Sequence, residues 1–531
     1  MGEIIMEQPS VIVRNRFYTG LALAACMVAH AAALIGCDAS APQEPLEVEE
    51  SLTEEAPEET LTSGPGYEPV VEPAECQLDL TRAAGYQPEC GYLVVPEDRS
   101  QPDGRMARLR VVILHSSSSD PTPYSVIYLT GGGGADTMAM MNFFMDTFGA
   151  EILESHDLIF YNQRGSRYGE PELQCPGYNE MRQEVVSPAP DGGMRSREER
   201  EDMMIDFLLA CRDDLVAEGI DLAMYDTAAN AADANDLRIA LGYDQVDYYA
   251  SSFGTTIGLA LMRDYPEGIH SIVLDAVYPP QVAFYSELPV NFYNAYQQLF
   301  EACAADADCH ERFPDLEVTF FQIVDELNAN PRTFTWEGHE VTYDGGMFMD
   351  TVMIQMYSSD MGGALATIEM GSEGEFQIVE NLAPGIMDLS TDFINWGAYY
   401  NWDCRDEVPF ESYENYAALT ADLPPQMAAY YTPSLQFDLC EQWGVEPADA
   451  LANEPVVSDV PALLFAGGID PLTPARWAED AAETLSNGHL YVFPGYGHGV
   501  TRQSPCALRM ILEFFEDPTA APDSTCMGAG G

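Results

Sequence analysis

Lysine is absent from this chain. All 22 basic residues are arginine, set against 87 carboxylates, for a formal net charge of −65 over 531 residues. With no basic patch to meet phosphate, nucleic-acid binding is excluded as a function class. Such a surface repels itself at low salt and is screened at high salt, which favours a saline habitat. Histidine is scarce, at eight residues, and neither Cys-x-x-Cys nor His-Glu-x-x-His occurs, so a metal site has little support. The apolar run from Leu21 to Ile35 is too short for a comfortable membrane span. No repeat of solenoid period is evident.

What the N-terminus does have is a processing signature. Arg14 and Arg16 precede that run, which ends Leu34-Ile35-Gly36-Cys37. A basic flank, a short apolar stretch and small residues before a cleavage point make residues 1–36 a secretory signal. The ending resembles a bacterial lipobox, which would make Cys37 the lipidated first residue of an envelope lipoprotein, held to the membrane only through that anchor. Residues 37–75 then form an acidic tether. From Asp38 to Glu75 it carries twelve carboxylates and no basic residue, too little apolar surface to fold and enough charge to extend. Setting aside Cys26 and Cys37, ten cysteines remain, an even number for an exported protein. Local spacing suggests Cys76–Cys90, Cys175–Cys211, Cys303–Cys309, Cys404–Cys440 and Cys506–Cys526, although spacing does not determine connectivity.

From residue 76 onward, short apolar runs alternate with amphipathic stretches, the pattern of an α/β protein. Strands are predicted at Tyr92–Pro96, Leu109–His115, Ser125–Thr130, Asp157–Asn162, Val246–Ala250, Ser271–Asp275, Ala462–Ala466 and His489–Phe493, with helices at Glu198–Glu218, Thr227–Leu241 and Phe253–Tyr265. Strands this apolar suit a mostly parallel sheet with helices on both faces. The alternation stops after Pro279. Residues 281–399 read as an inserted helical cap between two parts of one core, residues 76–280 and 400–531.

The most informative segment is Val246-Asp-Tyr-Tyr-Ala-Ser-Ser252-Phe-Gly254. It reads as strand, tight turn and helix, a near match to the Gly-x-Ser-x-Gly nucleophile elbow. The turn leaves no room for side chains two residues before and two after the apex. With Ser252 at the apex those positions are Ala250 and Gly254. With Ser251 there they would be Tyr249 and Phe253, which do not fit.

A nucleophilic hydroxyl requires an oxyanion hole, an acid and a base. Gly131-Gly-Gly-Gly134 follows a strand, and the N–H groups of Gly132 and Phe253 are the candidate oxyanion donors. A phosphate loop would want Lys-Ser/Thr after the glycines, where this chain has Ala135-Asp136. Asp470 follows a buried strand in Ala-Gly-Gly-Ile-Asp470-Pro-Leu-Thr-Pro474 and is the candidate acid. Its competing role, N-cap of a helix over Ala475–Leu485, suits Thr473 better. The base is His498 in Pro494-Gly-Tyr-Gly-His498-Gly499, on a loop after a late strand. His489 stands at that strand's start, away from the carboxyl edge where open α/β sheets bind ligands. Arg164, after the strand at Asp157, reads as a buried structural guanidinium. No cofactor is needed for this chemistry.

With these residues placed, the chain resembles the secreted tripeptidyl-aminopeptidase and proline-iminopeptidase branch of the α/β-hydrolases from about Cys76 to the C-terminus. Further landmarks are Cys90-Gly-Tyr-Leu-Val-Val-Pro96, Asp157 to Gly165, Asp233-Ala-Asn-Asp-Leu-Arg238, Ser271 to Asp275, and Gly497-His498-Gly499 to Cys506 with Cys526, which is similar to that family's C-terminal module. The resemblance implies release of residues or short peptides from a free N-terminus, with the cap closing over the substrate amine. Four positions depart from it: Ala250 replaces Gly, Thr130 and Gly133 replace the His and Pro of His-Gly-Gly-Pro-Gly, and Asn162 replaces Asp. An aminopeptidase should offer carboxylates to an ammonium group, and Glu369, Glu373, Glu375 and Glu380 are cap candidates. The run Met138 to Met145 could equally line an apolar acyl pocket or pack a helix. The leading reading is therefore an exported serine exopeptidase acting on peptides. A carboxylic-ester hydrolase acting on a small acyl substrate, and a lipoprotein that binds peptides without cleaving them, are the alternatives.

Overall fold

The computed structural model describes residues 66–189, 195–336, 339–388 and 393–528. The signal segment, Cys37 and most of the tether lie outside the described residues. The strands are β1 (Val70–Pro73), β2 (Glu89–Pro96), β3 (Met106–Leu114), β4 (Val126–Leu129), β5 (Leu158–Tyr161), β6 (Val246–Ser251), β7 (Ile269–Asp275), β8 (Arg332–Trp336), β9 (His339–Tyr343), β10 (Ala462–Gly467) and β11 (Gly488–Phe493). Nine of them form one sheet in the order β1-β2-β3-β5-β4-β6-β7-β10-β11. Every pairing from β5 to β11 is parallel, and β1, β2 and β3 join antiparallel.

This sheet is parallel where its strands are apolar throughout. All four residues of β4 and all four of β5 are buried, which requires cover on both faces. The pleat divides them. Leu158 and Phe160 point into one core layer, with Met141 and Phe144 of helix α1 (Thr137–Phe144). Ile159 and Tyr161 point into the other, with Ala231 and Leu237 of α2 (Thr227–Ala240) and Ile257 and Leu261 of α3 (Phe253–Asp264). The first layer is completed near the C-terminus by Met510, Ile511 and Phe514, on a helix spanning Pro505–Glu516.

Between β7 and β10 the chain leaves the sheet. The excursion is not wholly helical, because β8 and β9 pair as an antiparallel two-stranded sheet. Thr333, Phe334 and Thr335 are β-branched and aromatic in alternation, a strand signal that the surrounding helical composition hides. Helices also continue beyond residue 399, ending with Ser434–Trp443, before the chain returns to the sheet at β10. Two elements of the excursion matter below: α4 (Gly345–Tyr357), buried along its whole length, and α5 (Trp396–Trp402).

Five disulfides join Cys76–Cys90, Cys175–Cys211, Cys303–Cys309, Cys404–Cys440 and Cys506–Cys526. They suit an oxidising, exported setting. Among the described residues, no helix is long and apolar enough to cross a membrane.

Candidate active site

Ser252 sits at the junction of β6 and α3 with φ 55° and ψ −128°. That backbone conformation is costly for a residue with a Cβ and is held by its surroundings. A Cβ at Gly254 would overlap the carbonyl group of Leu129, so the helix packs against β4 only because that position is glycine. Ser251 remains in the strand.

His498 reaches the same place from beyond β11. Ser252 and His498 line one narrow, mainly apolar cavity together with Gly131, Gly132 and Tyr357. They are 4% and 2% exposed, so both groups are buried. Ser252 Oγ and His498 Nε2 have no hydrogen-bond partner among the described residues. The two groups face a common space without being joined, as catalytic pairs often are before substrate binds.

Behind the imidazole, His498 Nδ1 lies 2.8 Å from Asp470 Oδ2. The carboxylate is fixed on all sides. Its Oδ1 accepts from the N–H groups of Leu472 and Thr473, and its Oδ2 accepts from the Thr473 hydroxyl at 2.7 Å. Thr473 is therefore not the helix N-cap expected from sequence. Pro474 occupies that position without a side-chain bond, the helix spans Ala475–Ala482, and the Thr473 hydroxyl turns inward to the carboxylate and to His498 Nδ1, 3.0 Å away. Asp275, at the end of β7, anchors the histidine loop differently. Its two carboxylate oxygens accept from the N–H groups of Val500 and Thr501.

Gly132 and Phe253, the candidate oxyanion donors, lie on either side of the serine. Both line a second cavity with Gly133, Tyr278, Phe284, Tyr399 and Trp402. The glycine loop is held by a residue that sequence reasoning passed over. Gln163 donates to the carbonyls of Thr130 and Gly132 and accepts from Gly134 N–H. The neighbouring Asn162, which departs from the family pattern, donates to Asp136 and accepts from Met138 N–H at the start of α1. Arg164 pairs with Asp233 through Nε and Nη2 and donates to the carbonyls of Glu97 and Met224, a structural anchor.

The Met-rich run divides between both roles expected for it. Met138, Met141 and Met145 belong to the core. Met140, Phe143 and Phe144, with Phe148 beyond them, line the Ser252 cavity. An apolar side chain is the group this wall would desolvate. Phe143→Ala, which opens the half-buried part of the wall, should lower kcat/KM about tenfold for substrates with small apolar acyl side chains and less for bulky ones. Steady-state kinetics on a size series would check this, and equal losses across the series would show that Phe143 does not set size.

The four cap glutamates line neither cavity. Glu369 pairs with Arg312, Glu373 and Glu375 are exposed, and Glu380 accepts a long bond from Tyr343. One group of buried carboxyls lies just past α5. Glu407 accepts from Tyr278 Oη and Phe284 N–H, and the half-buried Glu411 accepts from the N–H groups of Tyr285 and Ser286. Asp403 accepts from Tyr285 Oη at 2.7 Å through Oδ2, while its buried Oδ1 has no partner. Burial pushes the carboxyls of Asp403 and Glu407 well above the usual carboxylate range.

Residues 426–526 match the family model described as TAP-like protein. The sheet order and the placement of Ser252 at a strand-to-helix elbow supply the rest of the assignment. The fold is that of an α/β-hydrolase, and its C-terminal segment is similar to the TAP-like module. This serine hydrolase is 26% identical over 460 residues to serine protease Hip1 of Mycobacterium tuberculosis, covering 82% of this chain and 86% of the relative. It is 25% identical to the putative hydrolase YuaR of Escherichia coli K12, over 83% and 88% of the two chains. It is 24% identical to the tripeptidyl aminopeptidase of Streptomyces lividans, over 36% of each chain.

Proposed function

We propose that this hydrolase is an exported aminopeptidase-type exopeptidase that cleaves short peptides from free N-termini through an acyl-enzyme on Ser252. The observation that carries the reading is the convergence of Ser252 and His498 on one cavity, with Asp470 bonded to the far side of the imidazole. In this mechanism His498 Nε2 takes the hydroxyl proton as Ser252 Oγ attacks the acyl carbon. Asp470 holds the Nδ1–H tautomer and stabilises the imidazolium. The N–H groups of Gly132 and Phe253 receive the oxyanion, the leaving amine takes the proton from His498, and water then releases the acyl group.

The exopeptidase half of the proposal is supported by the buried carboxyls. Asp403 lines neither cavity itself, but it accepts from Tyr285 Oη, which lies 3.0 Å from the hydroxyl of Tyr399 in the wall of the cavity containing both candidate oxyanion donors. A substrate ammonium would favour the charged form that burial disfavours and donate to the carboxyl oxygen that has no partner among the described residues. The Streptomyces relative carries the name tripeptidyl aminopeptidase, which agrees with an ammonium-led substrate. The sequence ending at Cys37 supports a lipid anchor outside the cytoplasm, with the acidic tether as spacer.

Chromogenic peptidyl amides with free and with acetylated N-termini, beside simple acyl esters, test this reading. Free-amine amides should be preferred by at least tenfold in kcat/KM, and Asp403→Asn should reduce that preference several-fold. Turnover of esters alone would instead identify a carboxylic-ester hydrolase. Peptide binding without turnover or fluorophosphonate labelling would identify a binding lipoprotein.

A further inference from the structure

We infer that the inserted cap positions the catalytic base, through Tyr357 and Ser359 at the C-terminal end of α4. The inference rests on the Ser252–His498 reading above and concerns how His498 is held. From the core, His498 is oriented at Nδ1 by Asp470, and the following loop is pinned through Val500 and Thr501 to Asp275. Further contacts come from the cap. His498 N–H donates to the Tyr357 carbonyl at 2.9 Å. The Tyr357 ring stacks on the imidazole, with centroids 4.5 Å apart and planes 23° apart. One residue earlier, Gly497 N–H donates to Ser359 Oγ at 2.6 Å.

The fit leaves no slack. A Cβ on Gly497 would overlap the carbonyl oxygens of Met356 and Tyr357, so the helix end and the histidine loop touch backbone to backbone. Ser359 takes a left-handed conformation, φ 62°, to turn the chain there. Its N–H bonds back to Met356, and Asp360 N–H bonds to Gln355 at 2.7 Å, so the turn is tied to α4 and moves with it. On the opposite side, Arg502 donates to the His498 carbonyl.

These contacts have a mechanical consequence. Ser252 and His498 are buried, and Tyr357 is part of the wall of the cavity they share. A displacement of α4 would release the imidazole face and the His498 peptide together. The base returns to position when the cap seats again. The unjoined Ser252 Oγ and His498 Nε2 are the pair whose separation this latch sets. Tyr357 and Ser359 are accordingly positioning residues that act through His498.

The test uses the full chain and four variants: Tyr357→Phe, Tyr357→Leu, Ser359→Ala and Ser359→Gly. The rate of fluorophosphonate labelling at Ser252 is measured beside kcat and KM on one amide substrate, and thermal unfolding verifies that each variant is folded. Tyr357→Leu should lower kcat and the labelling rate together by about tenfold with KM little changed, while Tyr357→Phe, which keeps the stacked ring, restores most of the rate. Ser359→Ala and Ser359→Gly should share a loss of about fivefold, the scale of one hydrogen bond, although only glycine relieves the left-handed backbone. Wild-type labelling rates in Tyr357→Leu and both Ser359 variants would overturn the latch. So would losses confined to KM, which would make Tyr357 a cavity wall only. Failure of the wild-type protein to label at all would instead sink the Ser252 reading on which the latch rests.

Discussion

Ser252→Ala should lower turnover of a free-amine peptide amide by roughly 10⁴- to 10⁶-fold, His498→Ala should do the same, and the double variant should lose little more. The reason is geometric. Ser252 and His498 line one cavity, and among the described residues Ser252 Oγ has no partner to activate it other than the imidazole across that space. Removing either group leaves the other without a reaction partner, so the losses do not add. The residual rate belongs to the oxyanion donors and to binding, which neither substitution touches. Ser252→Ala removes no hydrogen bond made by Ser252 Oγ among the described residues, so its unfolding temperature should move little, whereas His498→Ala also breaks the buried Nδ1 bond to Asp470 and the Tyr357 stack and should lower it. Ser252→Ala removes only a hydroxyl, at a backbone angle that already strains any residue with a Cβ. Single-turnover kinetics on the three variants, with unfolding curves beside them, check both halves. Multiplicative losses in the double variant would show that the two residues serve separate steps.

How much of this was legible in the sequence differs by residue, for physical reasons. The elbow was readable because its steric demand is local: Gly254 must be small where α3 crosses the Leu129 carbonyl, and that demand is written two residues from the serine. The sheet was readable because a strand buried on both faces needs an apolar residue at every position, as in β4 and β5. The β8–β9 pair escaped because Arg332-Thr-Phe-Thr-Trp336 and His339-Glu-Val-Thr-Tyr343 lack the continuous apolar run that marks the strands of the large sheet.

At the site, Asp470 and His498 announce themselves by Gly- and Pro-rich loops after late strands. Tyr357 and Ser359 do not, since their contacts to His498 and Gly497 join segments far apart in the chain, and nothing local marks a helix end as a partner for a base. The same limit explains the carboxylates. Asp403 and Glu373 look alike in an acidic sequence. One is fully buried with an oxygen unpartnered and the other faces solvent, and only folding separates them. The Thr473 reading failed because hydroxyls suit both a helix N-cap and a carboxylate. The nearby Asp470, needing its second oxygen oriented, took the hydroxyl instead.

Asp470→Asn should cost about 10⁴-fold in kcat with the fold intact, a larger loss than any other acidic substitution in the protein. Four donors converge on this carboxylate: the N–H groups of Leu472 and Thr473 on Oδ1, and the Thr473 hydroxyl and His498 Nδ1 on Oδ2. An amide cannot satisfy them in either orientation. With its NH₂ toward His498, it forces Nδ1 to become an acceptor, which places the imidazole proton on Nε2 and removes the lone pair that should take the serine proton. With its NH₂ toward the loop, it opposes two backbone N–H groups and destabilises the turn that holds it. Asp275→Asn is the informative contrast. Asp275 also approaches the histidine loop, but its carboxylate accepts from the Val500 and Thr501 backbone and does not bond the imidazole. Its loss should therefore weaken the loop and reduce kcat by about 10- to 100-fold without reversing the imidazole tautomer. Proton-detected resonances of the His498 ring distinguish the two cases, since only Asp470→Asn should move the proton from Nδ1 to Nε2. If Asp275→Asn moved it and Asp470→Asn did not, the acid of this hydrolase would be the residue after β7, and the assignment of Asp470 would fall.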